Sequence, residues 1–198
     1  MTHTVLIVPG LREHVAEHWQ TLLAAKLPRV RSVPPLERDK LSCAARVEAV
    51  ERAVLDIDGP VIIVAHSAGV MMVAHWATSH AAQRVCGALL AAPADLETPM
   101  PAPYPTIDAL RSNGWLPVPR QTLPFPSIVA ASSNDPLTRL SRAREFAKSW
   151  GSRFVELGPV GHLNPASGHG PWPLADELLR ELSVSPQPKD GDSRRPPG

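Results

Sequence analysis

The sequence predicts an α/β fold, in which helices cover both faces of a mostly parallel sheet of about six strands. Short apolar runs alternate with amphipathic stretches along the whole chain, which is typical of repeated strand–helix–strand units. One run consists of four consecutive β-branched residues, at positions 61–64. Such a run is typical of a strand buried on both faces, as in the interior of a parallel sheet.

Six apolar runs and five stretches with helical spacing account for the predicted elements. Strands are predicted over residues 5–8, 30–33, 61–64, 85–92, 127–131 and 153–157. Helices are predicted over residues 15–27, 41–57, 71–77, 139–150 and 172–182, where apolar side chains recur at helical spacing. Proline or glycine follows several of these elements, as at Pro9, Pro28 and Gly151, because these residues end strands and helices.

The segment from residue 93 to residue 126 differs from the rest of the chain because it is rich in proline. It contains Pro99, Pro101, Pro103, Pro105, Pro117, Pro119 and Pro124. Prolines at this density exclude long helices and central strands. Because a strand is predicted directly afterwards, we expect an insertion over one edge of the sheet. Its aromatic residues Tyr104, Trp115 and Phe125 either line a pocket or anchor the loop to the body of the protein.

Length and composition indicate one globular domain. The chain has 198 residues, of which 43% are hydrophobic, and this is enough to bury a sizeable core. We therefore expect a single domain over residues 1–183. The last residues, 184–198, are rich in Pro, Ser, Asp, Lys and Arg. They cannot bury apolar surface, so a disordered tail is expected there.

The charge balance argues against nucleic acid or a membrane as a partner. Twenty basic and nineteen acidic residues give a net charge of +1, without the basic excess that such polyanions require. The sequence shows no signal peptide and no apolar stretch of transmembrane length. Cys43 and Cys86 lie in apolar surroundings without metal-ligand spacing, which is typical of buried thiols in a reducing compartment. We therefore expect a cytoplasmic protein without a metal or other cofactor.

Ser67 stands where the β-branched strand gives way to a helix. Ala65 precedes it by two positions and Gly69 follows it by two, so the stretch is similar to the nucleophile elbow G-x-S-x-G. A sharp strand-to-helix turn strains the serine backbone and leaves little room for larger neighbouring side chains. The alternative interpretation is an ordinary Ser-Ala-Gly turn that opens a core helix.

Asp135 and His162 complete a candidate catalytic triad with Ser67. Each of the three residues follows a predicted strand, and ligand chemistry in parallel sheets gathers beyond the carboxyl ends of the strands. A serine hydroxyl needs a neighbouring base, histidine is suited to that role, and a carboxylate can fix the imidazole tautomer. The chain order serine, aspartate, histidine is the order of the α/β-hydrolases.

Three other residues are alternatives for the acid and the base. Asp95 also follows a predicted strand, and His169 lies a short distance beyond His162. Asp135 is preferred because of the chain order, and His162 because it lies nearer to the last strand. His66 is next to the serine, and adjacent side chains on such a turn diverge, so it is expected to shape the turn or a pocket wall.

The stretch from His14 to His18 matches H-x-x-E-H, an inverted zinc-protease pattern. Two histidines four residues apart could bind zinc on one face of a helix, with Glu17 as the base. No third ligand is evident in the sequence, so zinc is not expected.

An oxyanion hole is expected beside the serine. One donor should be the backbone N–H of Ala68, the residue after the nucleophile. The second should come from the loop after the first strand, and the backbone N–H of Leu11, which follows Pro9-Gly10, is the candidate.

Several short motifs together resemble the small serine hydrolases that include retinoblastoma-binding protein 9 and its YdeN-like bacterial relatives. These motifs are Val8-Pro9-Gly10, His18-Trp19-Gln20, Ala65-His66-Ser67-Ala68-Gly69, Asn134-Asp135-Pro136, Gly161-His162-Leu163-Asn164, Ser167-Gly168 and Trp172-Pro173. The resemblance implies a compact α/β-hydrolase fold with little or no lid, esterase-type activity, and Ser67, Asp135 and His162 as the triad. Residues 41–45 begin like the L-x-C-x-E pocket-binding motif but lack its glutamate, so that protein partner is not expected.

The predicted function is therefore that of a serine hydrolase that acts on small carboxylic esters or related acyl compounds through an acyl-enzyme. Two alternatives remain open. One is a binding module that keeps the fold and the pocket without significant turnover. The other is an acyltransferase that uses the same three residues.

Overall fold

A six-stranded sheet forms the centre of the structure, a computed structural model that describes residues 3–184. Its strands are β1 Thr4–Val8, β2 Val30–Ser32, β3 Val61–His66, β4 Val85–Ala91, β5 Ser127–Ala131 and β6 Arg153–Glu156. The order across the sheet is β2-β1-β3-β4-β5-β6, and every neighbouring pair is parallel. The predicted parallel sheet is confirmed, and all its strands end at the same edge.

Six α-helices connect the strands or close the chain. They are α1 Trp19–Ala24, α2 Cys43–Leu55, α3 Ala68–Ser79, α4 Ile107–Ser112, α5 Leu140–Trp150 and α6 Leu174–Val184. A short 3₁₀-helix, Pro165–Ser167, lies between β6 and α6. Five of the six helices correspond to predicted ones. The sixth, α4, is a six-residue helix inside the proline-rich segment, short enough to fit between its prolines.

Side chains alternate between the two faces of the sheet and pack against different helices. Ile63 and Ala65 of β3 belong to the core under α2, α3 and α5. Ile62 and Val64 of the same strand belong to the core under α1 and α6. All four side chains are fully buried. Burial on both faces explains why this strand consists of consecutive β-branched residues and does not alternate with polar ones.

Helix α1 is much shorter than the predicted helix over residues 15–27. It begins at Trp19 because the His18 ring caps it, with Nδ1 accepting the Gln20 N–H at 3.3 Å. The Gln20 side chain is buried and donates to two carbonyl groups, Val8 O at 3.2 Å and Val64 O at 3.0 Å. It therefore joins the carboxyl ends of β1 and β3, beside the turn that carries Ser67.

The proline-rich segment between β4 and β5 has two roles. Some of its aromatic residues are buried in the core, and another lines the main cavity. Trp115 and Phe125 are buried in the core, and the Trp115 indole N–H donates to Leu41 O at 2.6 Å. Tyr104 is only partly buried and lines the main cavity. Trp115 and Phe125 therefore anchor the segment to the body of the protein, whereas Tyr104 lines a pocket.

Two sequence expectations concern the ends and the cysteines of the chain. Val184 is the last residue of α6, and the rest of the predicted tail, residues 185–198, lies outside the described residues.

Cys43 is buried and Cys86 is partly buried, and both are free thiols. In the described part of the chain, no helix is long and apolar enough to cross a membrane.

Gly69 allows the first turn of α3 to pack directly on the loop after β1. A Cβ atom at this position would lie 2.4 Å from Val8 O and 2.7 Å from Pro9 O, and both atoms belong to the backbone. We expect Gly69→Ala to lower the free energy of unfolding by about 2 kcal/mol or more, because neither carbonyl can move without disturbing the end of β1.

The control for this change is Gly170→Ala, where the nearest atom to the added methyl would be 3.9 Å away. Chemical denaturation of both variants measures the difference. Equal stabilities would contradict the close contact between α3 and the loop after β1.

Candidate active site

Ser67 occupies a strained turn between β3 and α3. Its φ of +57° and ψ of −127° lie outside the regions that non-glycine residues ordinarily adopt. Such strain costs about 1–3 kcal/mol, and it persists only where the surroundings enforce it. Here the Ser67 N–H donates to Ala91 O of the neighbouring strand at 3.1 Å, and Gly69 lets α3 begin against the β1 loop. The geometry is that described by the G-x-S-x-G motif.

The structure brings Ser67, His162 and Asp135 into one hydrogen-bonded line. His162 Nε2 lies 2.8 Å from Ser67 Oγ. On the other side of the ring, His162 Nδ1 lies 2.8 Å from Asp135 Oδ2 and 3.0 Å from Oδ1. The His162 and Asp135 side chains are 5% and 3% exposed, so bulk water does not compete for these contacts.

His162 must reach Ser67 from a distant strand. Three strand spacings separate β3 from β6, which corresponds to roughly 14 Å across the sheet. The loop after β6 covers this distance because hydrogen bonds attach it to the turn after β5. Ser132 Oγ donates to Gly158 O and accepts the Val160 N–H, and Asn134 Oδ1 accepts the Gly161 N–H at 2.7 Å. The turn that carries Asp135 therefore also directs His162 towards the serine.

Further hydrogen bonds hold the backbone of His162. Its N–H donates to Ser167 Oγ at 2.9 Å, and its carbonyl oxygen accepts from His66 Nε2 at 2.9 Å. Because a carbonyl can only accept, His66 carries its proton on Nε2. The His66 and His162 rings also pack together, with centroids 4.8 Å apart. His66 thus supports the candidate base, as a residue that shapes the turn.

Sequence reasoning assigned no function to Ser132, Asn134 or Ser167. Asn134 and Ser167 do occur within the motifs of the family resemblance, and this was the available signal. Ser132 is an ordinary turn residue by sequence, and only the folded loops show its contacts.

Asp95 and His169, the alternative acid and base, have other hydrogen-bond partners. Asp95 is 1% exposed, but its carboxylate pairs with Arg142, with Asp95 Oδ2 3.0 Å from Arg142 Nε. The Asp95 backbone N–H donates to Thr138 Oγ1 at 2.7 Å, so this residue joins the loop after β4 to the start of α5. His169 is linked to Asn164 through its backbone N–H. Neither side chain contacts Ser67 or His162.

The zinc pattern at His14 and His18 has no support in the geometry. The two residues precede α1, so they do not share a helical face, and His18 Nδ1 is occupied by the Gln20 N–H. Across residues 3–184, no group of three or more histidine, cysteine or acidic side chains is placed to hold a metal ion.

The candidate oxyanion donors lie next to the serine. Ala68 is the first residue of α3, where backbone N–H groups have no partner within the helix. Leu11 follows Gly10, which approaches the serine so closely that a Cβ there would be 3.2 Å from Ser67 Cβ. The Leu11 N–H donates to no other described residue. Both residues line the same cavity as Ser67 and His162.

A cavity of about 440 Å³ opens at this edge of the sheet. Its walls come from the loop after β1, the start of α2, the proline-rich segment and the 3₁₀-helix. Most of them are apolar, as in small-molecule sites generally. The apolar lining includes Leu11, Val15, Leu41, Leu96, Met100, Tyr104 and Leu137.

A parallel sheet with a strained serine at the end of a central strand and a histidine within hydrogen-bond distance defines an α/β-hydrolase. The sequence model of the family described as "Serine hydrolase" matches residues 5–181. The chain therefore belongs to this family and is an enzyme with hydrolytic activity. No curated protein matched the chain in a sequence comparison.

Solved structures share the fold. A YdeN-like hydrolase from Pectobacterium atrosepticum is 28% identical, with a TM-score of 0.76 over 91% of this chain and 90% of that chain. The ydeN gene product of B. subtilis is 15% identical, with a TM-score of 0.68 over 93% and 100% of the two chains. Est1E from Butyrivibrio proteoclasticus, solved with ferulic acid, is 12% identical, with a TM-score of 0.70 over 93% and 90%. The predicted fold and the resemblance to YdeN-like hydrolases are confirmed.

Two buried histidines beside the candidate base are held neutral. Burial lowers the pKa of His66 well below its ordinary value, and the neighbouring His162 and His18 lower it further. Burial also lowers the pKa of His18 to about 4, with a contribution from His162. Both pKa values lie below the value of about 6.5 expected for the unfolded chain. The stability that depends on these neutral rings is complete above about pH 6.5 and is lost as the pH falls towards about 4.

We expect the melting temperature to fall from about pH 7 to about pH 5, and to fall less in His18→Asn. Asparagine keeps an N-cap acceptor for the Gln20 N–H but does not bind a proton in this range. Thermal melts across this range measure the two slopes. His14→Asn, at an exposed position, is the matched control and should keep the wild-type slope. A His18→Asn slope equal to that of the wild type would show that His18 does not cause the acid sensitivity.

Proposed function

We propose that the protein hydrolyses small carboxylic esters or related acyl compounds, with Ser67 as nucleophile, His162 as general base and Asp135 as the acid that orients it. The proposal rests on one observation above all, the hydrogen bond of 2.8 Å between Ser67 Oγ and His162 Nε2. Since family membership defines only a hydrolase, the roles of these three residues and the substrate class are the proposed part.

The carboxylate of Asp135 selects the tautomer that the reaction needs. An ionised carboxylate can only accept hydrogen bonds, so the neutral His162 ring carries its proton on Nδ1. His162 Nε2 then has a free lone pair and accepts the Ser67 hydroxyl proton as Oγ attacks the substrate carbonyl. The buried Asp135 also stabilises the imidazolium that forms. Asp135 is itself held by the Leu137 N–H, which donates to Oδ1 at 2.8 Å.

The reaction would follow two acyl-transfer steps. Attack by Ser67 Oγ forms a tetrahedral intermediate, whose oxyanion accepts hydrogen bonds from the Leu11 and Ala68 N–H groups. His162 returns its proton to the leaving alcohol as the carbon–oxygen bond breaks, which leaves an ester on Ser67. Water, deprotonated by His162, then attacks that ester, and the carboxylic acid departs as Ser67 regains its proton.

The cavity supports small acyl substrates. A volume of about 440 Å³ lies in the range typical of small-molecule sites, and its apolar lining suits an acyl chain. The hydrogen-bonded serine favours turnover over a purely binding role. An acyltransferase would differ only in the nucleophile that meets the acyl-enzyme. The cytoplasmic location and the lack of a cofactor stay predictions from the sequence.

Ser67→Ala should abolish hydrolysis, with a loss in kcat of about a million-fold, because the base has no nucleophile to activate. A fluorophosphonate should label the wild-type protein on Ser67 Oγ with loss of fluoride, and should not label the variant. Esterase assays and intact-protein mass spectrometry measure the two effects.

The control for Ser67→Ala is Ser133→Ala, which changes an exposed serine in the turn after β5 and should retain labelling and activity. If Ser67→Ala kept more than a few per cent of the wild-type turnover, the nucleophile would be another residue. A labelled protein without turnover on any ester would favour the binding module.

Asp135→Asn should lower kcat by about ten-thousand-fold, because the amide favours the wrong imidazole tautomer while keeping the shape of the carboxylate. Asp95→Asn is the matched control, since Asp95 is equally buried but pairs with Arg142 and not with His162. Its kcat should fall far less, although its melting temperature should drop. A severe loss in Asp95→Asn beside a mild one in Asp135→Asn would reassign the acid.

A further inference from the structure

The charges that line the active-site cavity are gathered at one end. They are Arg12, Glu13, Lys40 and Arg46, and they come from two adjacent segments, the loop after β1 and the start of α2. Apart from three histidines, the other lining residues have no acidic or basic side chain. Three cations and one anion give this end of the cavity a net charge of +2.

Both oxygens of the Glu13 carboxylate are occupied by contacts within the protein. Its Oε1 accepts the Leu36 N–H at 3.1 Å and lies 3.3 Å from Arg46 Nη2, while its Oε2 lies 3.9 Å from Lys40 Nζ. One carboxylate therefore serves two cations, and neither contact is as short as a good charged hydrogen bond. The positive charge at this end is only partly compensated.

Arg46 is a largely buried residue whose guanidinium keeps one donor open to the cavity. It is 5% exposed, its Nε donates to Lys40 O at 2.9 Å, and its Nη1 has no hydrogen-bond partner among the described residues. Nη1 is not among the fully buried atoms that lack a partner, so it remains accessible from the cavity that Arg46 lines. Buried guanidinium groups are normally paired through two parallel hydrogen bonds. Burial lowers the pKa of Arg46, and only the nearby Glu13 opposes that effect. A second anion that enters the cavity would supply the missing acceptor.

Arg12 adds a cation at the exposed side of the same end. Within residues 3–184 it has no carboxylate partner, and its guanidinium carbon lies 5.4 Å from the centre of the Tyr104 ring. Tyr104 itself lines the cavity. The ring thus holds the Arg12 side chain next to the cavity by a cation–π contact.

The cationic end is close to the reacting serine. The Glu13 N–H donates to Gly10 O at 3.0 Å, so these residues form a tight turn with their Cα atoms within about 7 Å. Gly10 in turn packs against Ser67, as its close approach to Cβ of that residue shows. We therefore expect a short chain between an ester at Ser67 and an anion at Arg46.

We propose that the preferred substrates are monoesters that carry a carboxylate at the end of the molecule away from the scissile ester, bound by Arg46 and Arg12. The inference rests on the proposed function, because it assigns the substrate class of the same site. The apolar middle of the cavity would hold the chain between the two groups. A neutral acyl chain of the same length would offer no anionic acceptor to Nη1 of Arg46.

The test measures protection of Ser67 from a fluorophosphonate, which requires no turnover of the competing ester. The competitors are the monomethyl esters of the dicarboxylic acids from succinate to suberate. Each is paired with a methyl alkanoate in which a methyl or ethyl group replaces the carboxylate. We expect the best monoester to protect at a concentration about ten-fold lower than its neutral counterpart, because hydrogen bonds to charged groups are worth at least that factor. High salt should reduce the difference.

Two variants connect this preference to the arginines. Arg12→Gln removes the exposed cation, and the double change Glu13→Gln with Arg46→Met removes the buried pair together, so that no carboxylate is left unpaired. In each, the ratio of monoester to neutral-ester protection should fall by about three-fold when it is normalised to the unprotected labelling rate, because each variant removes one of the two arginines that share the ten-fold preference. Arg52→Gln is the matched control, because Arg52 lies on α2, is exposed and pairs with Glu48. It should keep the wild-type ratio.

The outcomes separate this inference from the proposed function. If the fluorophosphonate does not label Ser67, the proposed nucleophile is wrong and the substrate class fails with it. If labelling occurs but every neutral ester protects as well as its charged counterpart, the hydrolase proposal survives and the anionic substrate class is refuted. An anionic preference that is as large in both arginine variants as in the wild type would also overturn the assignment to Arg46 and Arg12.

Discussion

The hydrogen bond between Ser67 and His162 is the contact on which the rest of the site depends. Its two residues follow β3 and β6, which lie three positions apart in the sheet, so the connecting loops must bring them together. A parallel sheet places the ends of its strands along a line, and side chains at β3 and β6 cannot meet across it directly. The turn after β5 holds the loop that brings His162 to Ser67. That turn carries Asp135 and also binds the loop after β6 through Ser132 and Asn134. One connection therefore positions both the candidate acid and the candidate base.

The surroundings of the candidate triad hold two energetically unfavourable features in place. Ser67 has an unfavourable backbone conformation, and His66 is a buried imidazole that cannot easily gain a proton. Each is compensated by a specific contact, the Ser67 N–H with Ala91 O and the His66 Nε2 with the His162 carbonyl. The same contacts that stabilise these features also restrict the position of the candidate base. Stability near the site and geometry of the site thus depend on the same hydrogen bonds.

The cavity combines an apolar body with a charged end, and the two parts come from different segments. The proline-rich segment supplies Met100 and Tyr104, while the loop after β1 and the start of α2 supply the cations. Prolines restrict the backbone of the first wall, so its shape depends little on the ligand. The second wall is connected to Ser67 through Gly10. The candidate oxyanion loop therefore lies between the charged end of the cavity and the proposed nucleophile.

The sequence by itself determined the parallel α/β architecture, five of the six helices and the three candidate triad residues. Those features depend on local patterns, namely apolar periodicity, turn residues and the position of each polar residue after a strand. Only the tertiary structure showed that α1 starts at Trp19, that Asp95 pairs with Arg142, and that Ser132 and His66 support His162. Apart from the His18 cap of α1, which is local, these contacts join residues far apart in the chain, and no local pattern encodes which of them meet. The incomplete compensation of the Arg46 charge has the same origin, because it depends on how many acceptors other segments bring to the guanidinium.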